Sequence, residues 1–162
     1  MKAVGLLCDY AEVAGGKLFI SGAAINLVGT PIAEPPVRIN ITLAIMVTIP
    51  WNATNQPHRL TVELVSDQGG GDQRVPLSDA LPPNHDPADK GLLVADFNAG
   101  RSAVMKPGED TLMPIALPML PLAVPQPGSY FFQIKIDGTP VDRVSFRAEV
   151  ITPGTMGPFA GR

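Results

Sequence analysis

Ile39-Asn40-Ile41-Thr42-Leu43-Ala44-Ile45-Met46-Val47-Thr48-Ile49 alternates without a break: every odd position is a large aliphatic residue, and the even positions are Asn, Thr, Ala, Met and Thr. Successive side chains of an extended strand point to opposite faces, so this pattern predicts a β-strand with one face in a core. Arg59-Leu60-Thr61-Val62-Glu63-Leu64 repeats it, with Leu60, Val62 and Leu64 inward. Only Pro50 to Pro57 separates the two, which predicts that they pair.

The same period runs outward to both ends. Tyr130, Phe132, Ile134 and Ile136 alternate up to Asp137-Gly138, and Val144, Phe146, Ala148 and Val150 alternate after it, a hairpin closed by a tight-turn dipeptide. Pro127-Gly128-Ser129-Tyr130 leads into that hairpin, and a tyrosine entering a strand from a turn matches the corner tyrosines of immunoglobulin-like sandwiches. Near the start, Val4, Leu6, Cys8 and Tyr10 share one phase, assigned here to the core. Ala14-Gly15-Gly16 then predicts a turn before Leu18 and Ile20. After Gly22 the phase slips to Ala23, Ile25 and Leu27, which predicts a bulge or bend at Ser21-Gly22. Leu92 to Phe97 is apolar on both faces, which predicts a well-covered strand.

About eight such strands, with period 3.6 nearly absent, define an all-β chain: a single antiparallel β-sandwich, immunoglobulin-like or related. Residues 1–151 form that domain in this reading. Residues 152–162, with Pro153, Gly154, Gly157, Pro158 and Gly161, form a C-terminal tail.

Composition agrees. Eighteen prolines and sixteen glycines in 162 residues punctuate the apolar segments without forming a low-complexity tract. A net charge of −3 with no concentration of Lys and Arg argues against nucleic acid. No apolar run approaches the roughly 20 residues of a membrane helix, and Met1 to Asp9 turns acidic too soon for a signal-peptide apolar region, so a cytoplasmic location without a membrane is expected. One cysteine, Cys8, cannot form an internal disulfide.

The common catalytic templates are missing. Two histidines, His58 and His85, and one cysteine cannot build a zinc site of several Cys or His ligands. Gly69-Gly70-Gly71 leads to Asp72 without the lysine of a phosphate loop. Asp67, Asp72, Asp79, Asp86 and Asp89, with His85, could hold a hard cation if their loops met, but aspartate in turns more commonly bonds nearby amides. Cys8 reads as a buried small hydrophobe. No catalytic residue, cofactor or metal is expected.

The least usual segment is Leu112-Met113-Pro114-Ile115-Ala116-Leu117-Pro118-Met119-Leu120-Pro121-Leu122-Ala123-Val124-Pro125, fourteen residues without a charge. Its prolines remove ladder donors, which predicts an edge strand or a crossing between sheets. Leu112, Met113, Ile115, Leu117, Met119, Leu120, Leu122 and Val124 are the candidate interface to another chain.

Leu6 to Val13, Lys17 to Ala23, the proline-rich stretch Leu117 to Pro127 and the closing Pro-Gly-x-Tyr hairpin together resemble a family of small uncharacterised bacterial proteins. The likeness spans most of the chain. It implies a fold and carries no catalytic residue. The function expected is therefore a non-catalytic sandwich that self-associates as a homo-oligomer or binds another protein. The alternative is a small-ligand or carbohydrate-binding module, for which Trp51 is the aromatic of interest.

Overall fold

The computed structural model describes residues 1–31, 34–68, 73–77 and 91–151. Ten strands occur among them: β1 (Lys2–Ala14), β2 (Lys17–Ala23), β3 (Leu27–Thr30), β4 (Val37–Ile49), β5 (Pro57–Ser66), β6 (Gln73–Val75), β7 (Leu93–Asn98), β8 (Thr111–Val124), β9 (Gly128–Ile136) and β10 (Thr139–Val150). They form two packed sheets. Sheet 1 runs β2-β1-β4-β8, and sheet 2 runs β3-β10-β9-β5-β6, with β7 also paired to β5.

The core lies where the alternation puts it. Val37, Ile39, Ile41, Leu43, Ile45, Val47 and Ile49 of β4 face Leu60, Val62 and Leu64 of β5 and Tyr130, Phe132, Ile134 and Phe146 of the β9–β10 hairpin. Every residue placed inward from those segments is buried except Val144, which packs partly buried against the rest, and Val150, which is half-buried at the end of β10. Asp137 and Gly138 have φ of 51° and 77°, the left-handed pair that a two-residue hairpin turn requires. Tyr130 is buried, and its hydroxyl donates to the Gln126 carbonyl at 2.5 Å and accepts from Gln68 Nε2 at 3.3 Å. Tyr130 thus ties the start of β9 to the turn before it.

Four expectations fail, each for a physical reason. β4 and β5 do not pair. A single turn of 3-10 helix at Trp51–Ala53 carries the chain from sheet 1 to sheet 2, so the two strands face each other across the core. The sandwich is not wholly antiparallel, because β3 joins β10 in parallel from Arg147↔Leu27 to Val150↔Thr30. β7 is not well covered: it lies on the outer flank of β5 with Ala95 and Asp96 exposed.

The phase of β1 is also reversed. Ala3 and Leu7 enter the core, while Val4, Leu6 and Tyr10 are exposed. β1 is apolar on both faces, and Gly5 decides between them. Its amide donates to Asp142 Oδ2 at 2.6 Å, and a Cβ there would collide with Val144 Cγ2 and Ile134 Cδ1 of sheet 2. The odd face of β1 therefore presses against sheet 2. Of the bulge or bend expected at Ser21-Gly22, only a local backbone irregularity is present: Gly22 has φ of 65° and backs onto the Asp9 side chain, while the β1–β2 register keeps one offset from Cys8↔Ala23 through Tyr10↔Ser21 to Ala14↔Lys17, so no residue is inserted.

Ile45→Ala should cost about 2–5 kcal/mol and Phe132→Ala about 3–5 kcal/mol in denaturant unfolding. Gly5→Val should destabilise by a comparable or larger amount, because rigid neighbours of sheet 2 occupy the space its side chain needs. A Gly5→Val protein as stable as the parent would contradict the close approach of the sheets.

Candidate functional site

β8 is an edge strand, paired with β4 along its length from Thr111↔Ile49 to Val124↔Val37. The register is unbroken from Thr111 to Met119, through Pro114 and Pro118. Two prolines of the same parity can sit in a continuous antiparallel ladder only if their nitrogens point away from the partner strand, here to the free edge. Between Ile41↔Met119 and Ile39↔Leu122, β8 advances three residues while β4 advances two, and the inward phase passes from odd to even positions.

That switch sorts the eight candidate interface residues. Met119, Leu122 and Val124 are at most 1% exposed and belong to the chain's own core, so they cannot meet a partner. Met113, Ile115 and Leu117 are partly buried against the same core. Only Leu112 and Leu120, 61% and 59% exposed, face outward. The segment hides more than its composition suggests, because every second side chain lies beneath the sheet.

What it leaves outside continues across β4 and β1. The registers align three rows on the outer face of sheet 1: Lys2–Thr48–Leu112, Val4–Met46–Pro114 and Leu6–Ala44–Ala116. A fourth is Cys8–Thr42–Pro118, beyond which the exposed Asn40 and Arg38 of β4 continue the same face. Lys2 is the only charged residue in the four rows. Val4 is 61% and Leu6 40% exposed. β1 and β2 then run past β4 as a two-stranded arm, where Leu18 and Ala11 fold back onto Cys8, Ala44 and Ala116. The arm exposes Tyr10, Val13, Phe19 and Ile20. Of the ten exposed large apolar side chains among the described residues, eight belong to this sheet; Leu27 and Val104 are the other two. Scattered exposed hydrophobes are ordinary, but a continuous group of them marks an interaction surface.

The outer face of sheet 2 is the opposite. Glu63 is buried to 8% and bonded to Lys135 Nζ at 2.8 Å and Arg74 Nη2 at 3.3 Å, Arg143 meets Asp67 at 2.7 Å, and Arg59 meets Asp96 at 2.7 Å. A shallow hollow of about 350 Å³ lies here, lined by Glu63, Arg74, Phe131, Gln133 and Lys135 among others. Its charged groups already satisfy one another.

Trp51, the aromatic of interest for a sugar platform, and Phe131 are covered. The Arg101 guanidinium lies 3.8 Å from the centre of the Trp51 ring, and Arg143 lies 3.6 Å from that of Phe131. Cys8 is buried, its thiol donating to the Thr42 carbonyl at 3.4 Å; burial and the charge of Asp9 push its pKa up, away from a reactive thiolate.

His58 has partners the sequence did not suggest. Nδ1 lies 2.8 Å from Asp137 Oδ2 and Nε2 lies 2.7 Å from the Ala53 carbonyl, so this histidine–aspartate pair leaves no ring nitrogen for a substrate. Among the described residues no group of three His, Cys, Asp or Glu side chains is placed to hold a metal ion. Asp72, Asp79, His85, Asp86 and Asp89 lie outside the described residues.

Two packed sheets, one with an outer face poor in charge and one with an ion-paired outer face, define a sandwich-like all-β domain. The chain belongs to the family of unknown function DUF6941, whose model matches residues 3–149. No curated protein matches the chain.

Two substitutions on β8 distinguish its faces. Met119→Lys should cost several kcal/mol by placing a charge in the core, whereas Leu112→Lys should change stability by about 0.5 kcal/mol or less. Equal effects in denaturant unfolding would mean that the inward and outward assignments are wrong.

Proposed function

We propose that this chain is a non-catalytic β-sandwich that assembles with a second copy of itself through the outer face of sheet 1. The observation that carries the reading is the apolar group on that face: Val4, Leu6 and Leu112 stand exposed around the half-buried Met46, Pro114 and Ala116, with Leu120 exposed farther along β8 and Lys2 and Arg38 toward the two ends. Covering a large aliphatic side chain is worth about 1.5–3 kcal/mol. A symmetric pair covers the same patch on both copies, and such pairs are the commonest closed assembly.

The manner of contact follows from the edge. Pro114 and Pro118 present no N–H to a strand arriving beside β8, so the partner sits on the face and does not extend the sheet. The reading of the fold as immunoglobulin-like is part of this proposal, supported by Tyr130 and its bond to Gln126. A cytoplasmic location is proposed with it, in keeping with a single buried thiol. The small-ligand or carbohydrate reading draws less support, because Trp51 and Phe131 each lie under a guanidinium.

Light scattering after size exclusion should give twice the chain mass for the parent. It should give the single-chain mass for Leu112→Glu combined with Leu120→Glu, with an unchanged β-type dichroism spectrum. A parent that stays monomeric at high concentration, or a double variant that stays dimeric, would defeat the proposal.

A further inference from the structure

His58 opens β5 and is 9% exposed, its ring 5.5 Å from that of Phe97 on β7. Both of its nitrogens face oxygen acceptors: the Asp137 carboxylate in the β9–β10 turn and the Ala53 carbonyl in the β4–β5 connection. A neutral imidazole carries one N–H and can satisfy one of them; the imidazolium carries two and satisfies both. In the neutral form, a nitrogen lone pair of the buried ring must point at an oxygen lone pair.

We propose that His58 is a pH-dependent clamp that, as the imidazolium, ties the β4–β5 connection to the β9–β10 turn and releases that connection when the proton leaves. The direction of release follows from how the partners are held. Asp137 is anchored independently: its Oδ1 accepts the Arg59 amide at 2.9 Å, and its own amide donates to the Arg59 carbonyl at 2.9 Å. The carboxylate keeps the one remaining N–H, and the Ala53 contact is lost. Ala53 sits in the short turn that carries the chain between sheets, so the released segment is the link between β4 and β5.

The charged groups around the ring leave its proton to these two acceptors. On its own strand, Arg59 directs its guanidinium at Asp96 of β7, 2.7 Å away, and the two offset each other. Arg101, after β7, is turned onto Trp51 and bonds Thr54 Oγ1 and the Trp51 carbonyl. The Met1 amino group acts weakly against the cation. Burial opposes the charged ring most, but the Ala53 carbonyl and Asp137 outweigh it, and the pKa rises above the ordinary 6.5. Asp137 is held below its ordinary value by the Arg59 amide and by His58, so it stays ionised to lower pH. Because the folded-state value of His58 exceeds that of the unfolded chain, its stabilisation is complete below pH 6.5 and is lost as pH climbs through the folded value.

The experiment is an imidazole nitrogen–proton correlation spectrum of the full chain from pH 5 to 9, in a His85→Gln background so that one ring is seen. Two protonated nitrogens at pH 6 and a midpoint above 6.5 are expected. The melting temperature should fall by about 2–4 °C between pH 6 and 9, the effect one titrating group has on a domain of this size. The fall should vanish in His58→Gln. Amide protection at Asn55, which donates to the Ala99 carbonyl beside the clamp, should drop about tenfold over the same range after correction for base catalysis. One protonated nitrogen at pH 6, a midpoint at or below 6.5, or the same pH profile in His58→Gln would each overturn the clamp. Should His58→Gln fail to fold, the spectrum of the parent ring still decides.

Discussion

The inner face of β4 is the constraint on which the rest of the structure depends. Seven aliphatic side chains from Val37 to Ile49 are all within 3% of complete burial, and one strand holds them between β1 and β8. That face needs a second layer, which β5, β9 and β10 supply with Leu60, Val62, Leu64, Phe132, Ile134 and Phe146. It also fixes its neighbours. Once β4 is committed, the paired strands β1 and β8 can each turn only one set of alternate residues inward, and the rest must stand outside.

The chain treats its two outer faces differently. On sheet 2, Lys135 and Arg74 hold Glu63, and Arg143 covers Phe131 while reaching Asp67. Exposed ion pairs add little to stability, but they keep that face in water. On sheet 1, polar residues are replaced by Val4, Leu6, Met46, Ala116 and Leu112. Low charge over the whole sequence is thus concentrated on one side of the molecule, and composition alone cannot say which side.

The sequence was readable wherever one face of a strand was apolar and the other was not. Ile39 to Ile49, Leu60 to Leu64 and the hairpin around Asp137-Gly138 met that condition, and so did Tyr130 behind its Pro-Gly turn. β1 was misassigned because Val4 and Leu6 compete on equal terms with Ala3 and Leu7, and only the crowding at Gly5 by residues more than 120 positions away breaks the tie. In β8 the phase switch at Leu120-Pro121 put Met119 and Leu122 on the same side, so no single parity could separate core from surface. β4 and β5 looked like pairing partners because they are close in the chain, yet a short connection can as well cross between layers. The His58 site was hidden for the same kind of reason: Asp137 lies 79 residues away, and Ala53 contributes only a carbonyl.

The blank places at Pro114 and Pro118 bear on number as well as contact. An exposed strand edge has no natural stopping point, since each added strand offers a new edge to the next, and growth that begins there ends in fibres. A face is used up when it is covered. A molecule that keeps its apolar surface on a face, and withholds two donors from the adjoining edge, is biased away from growth along that edge and toward a contact that closes on itself.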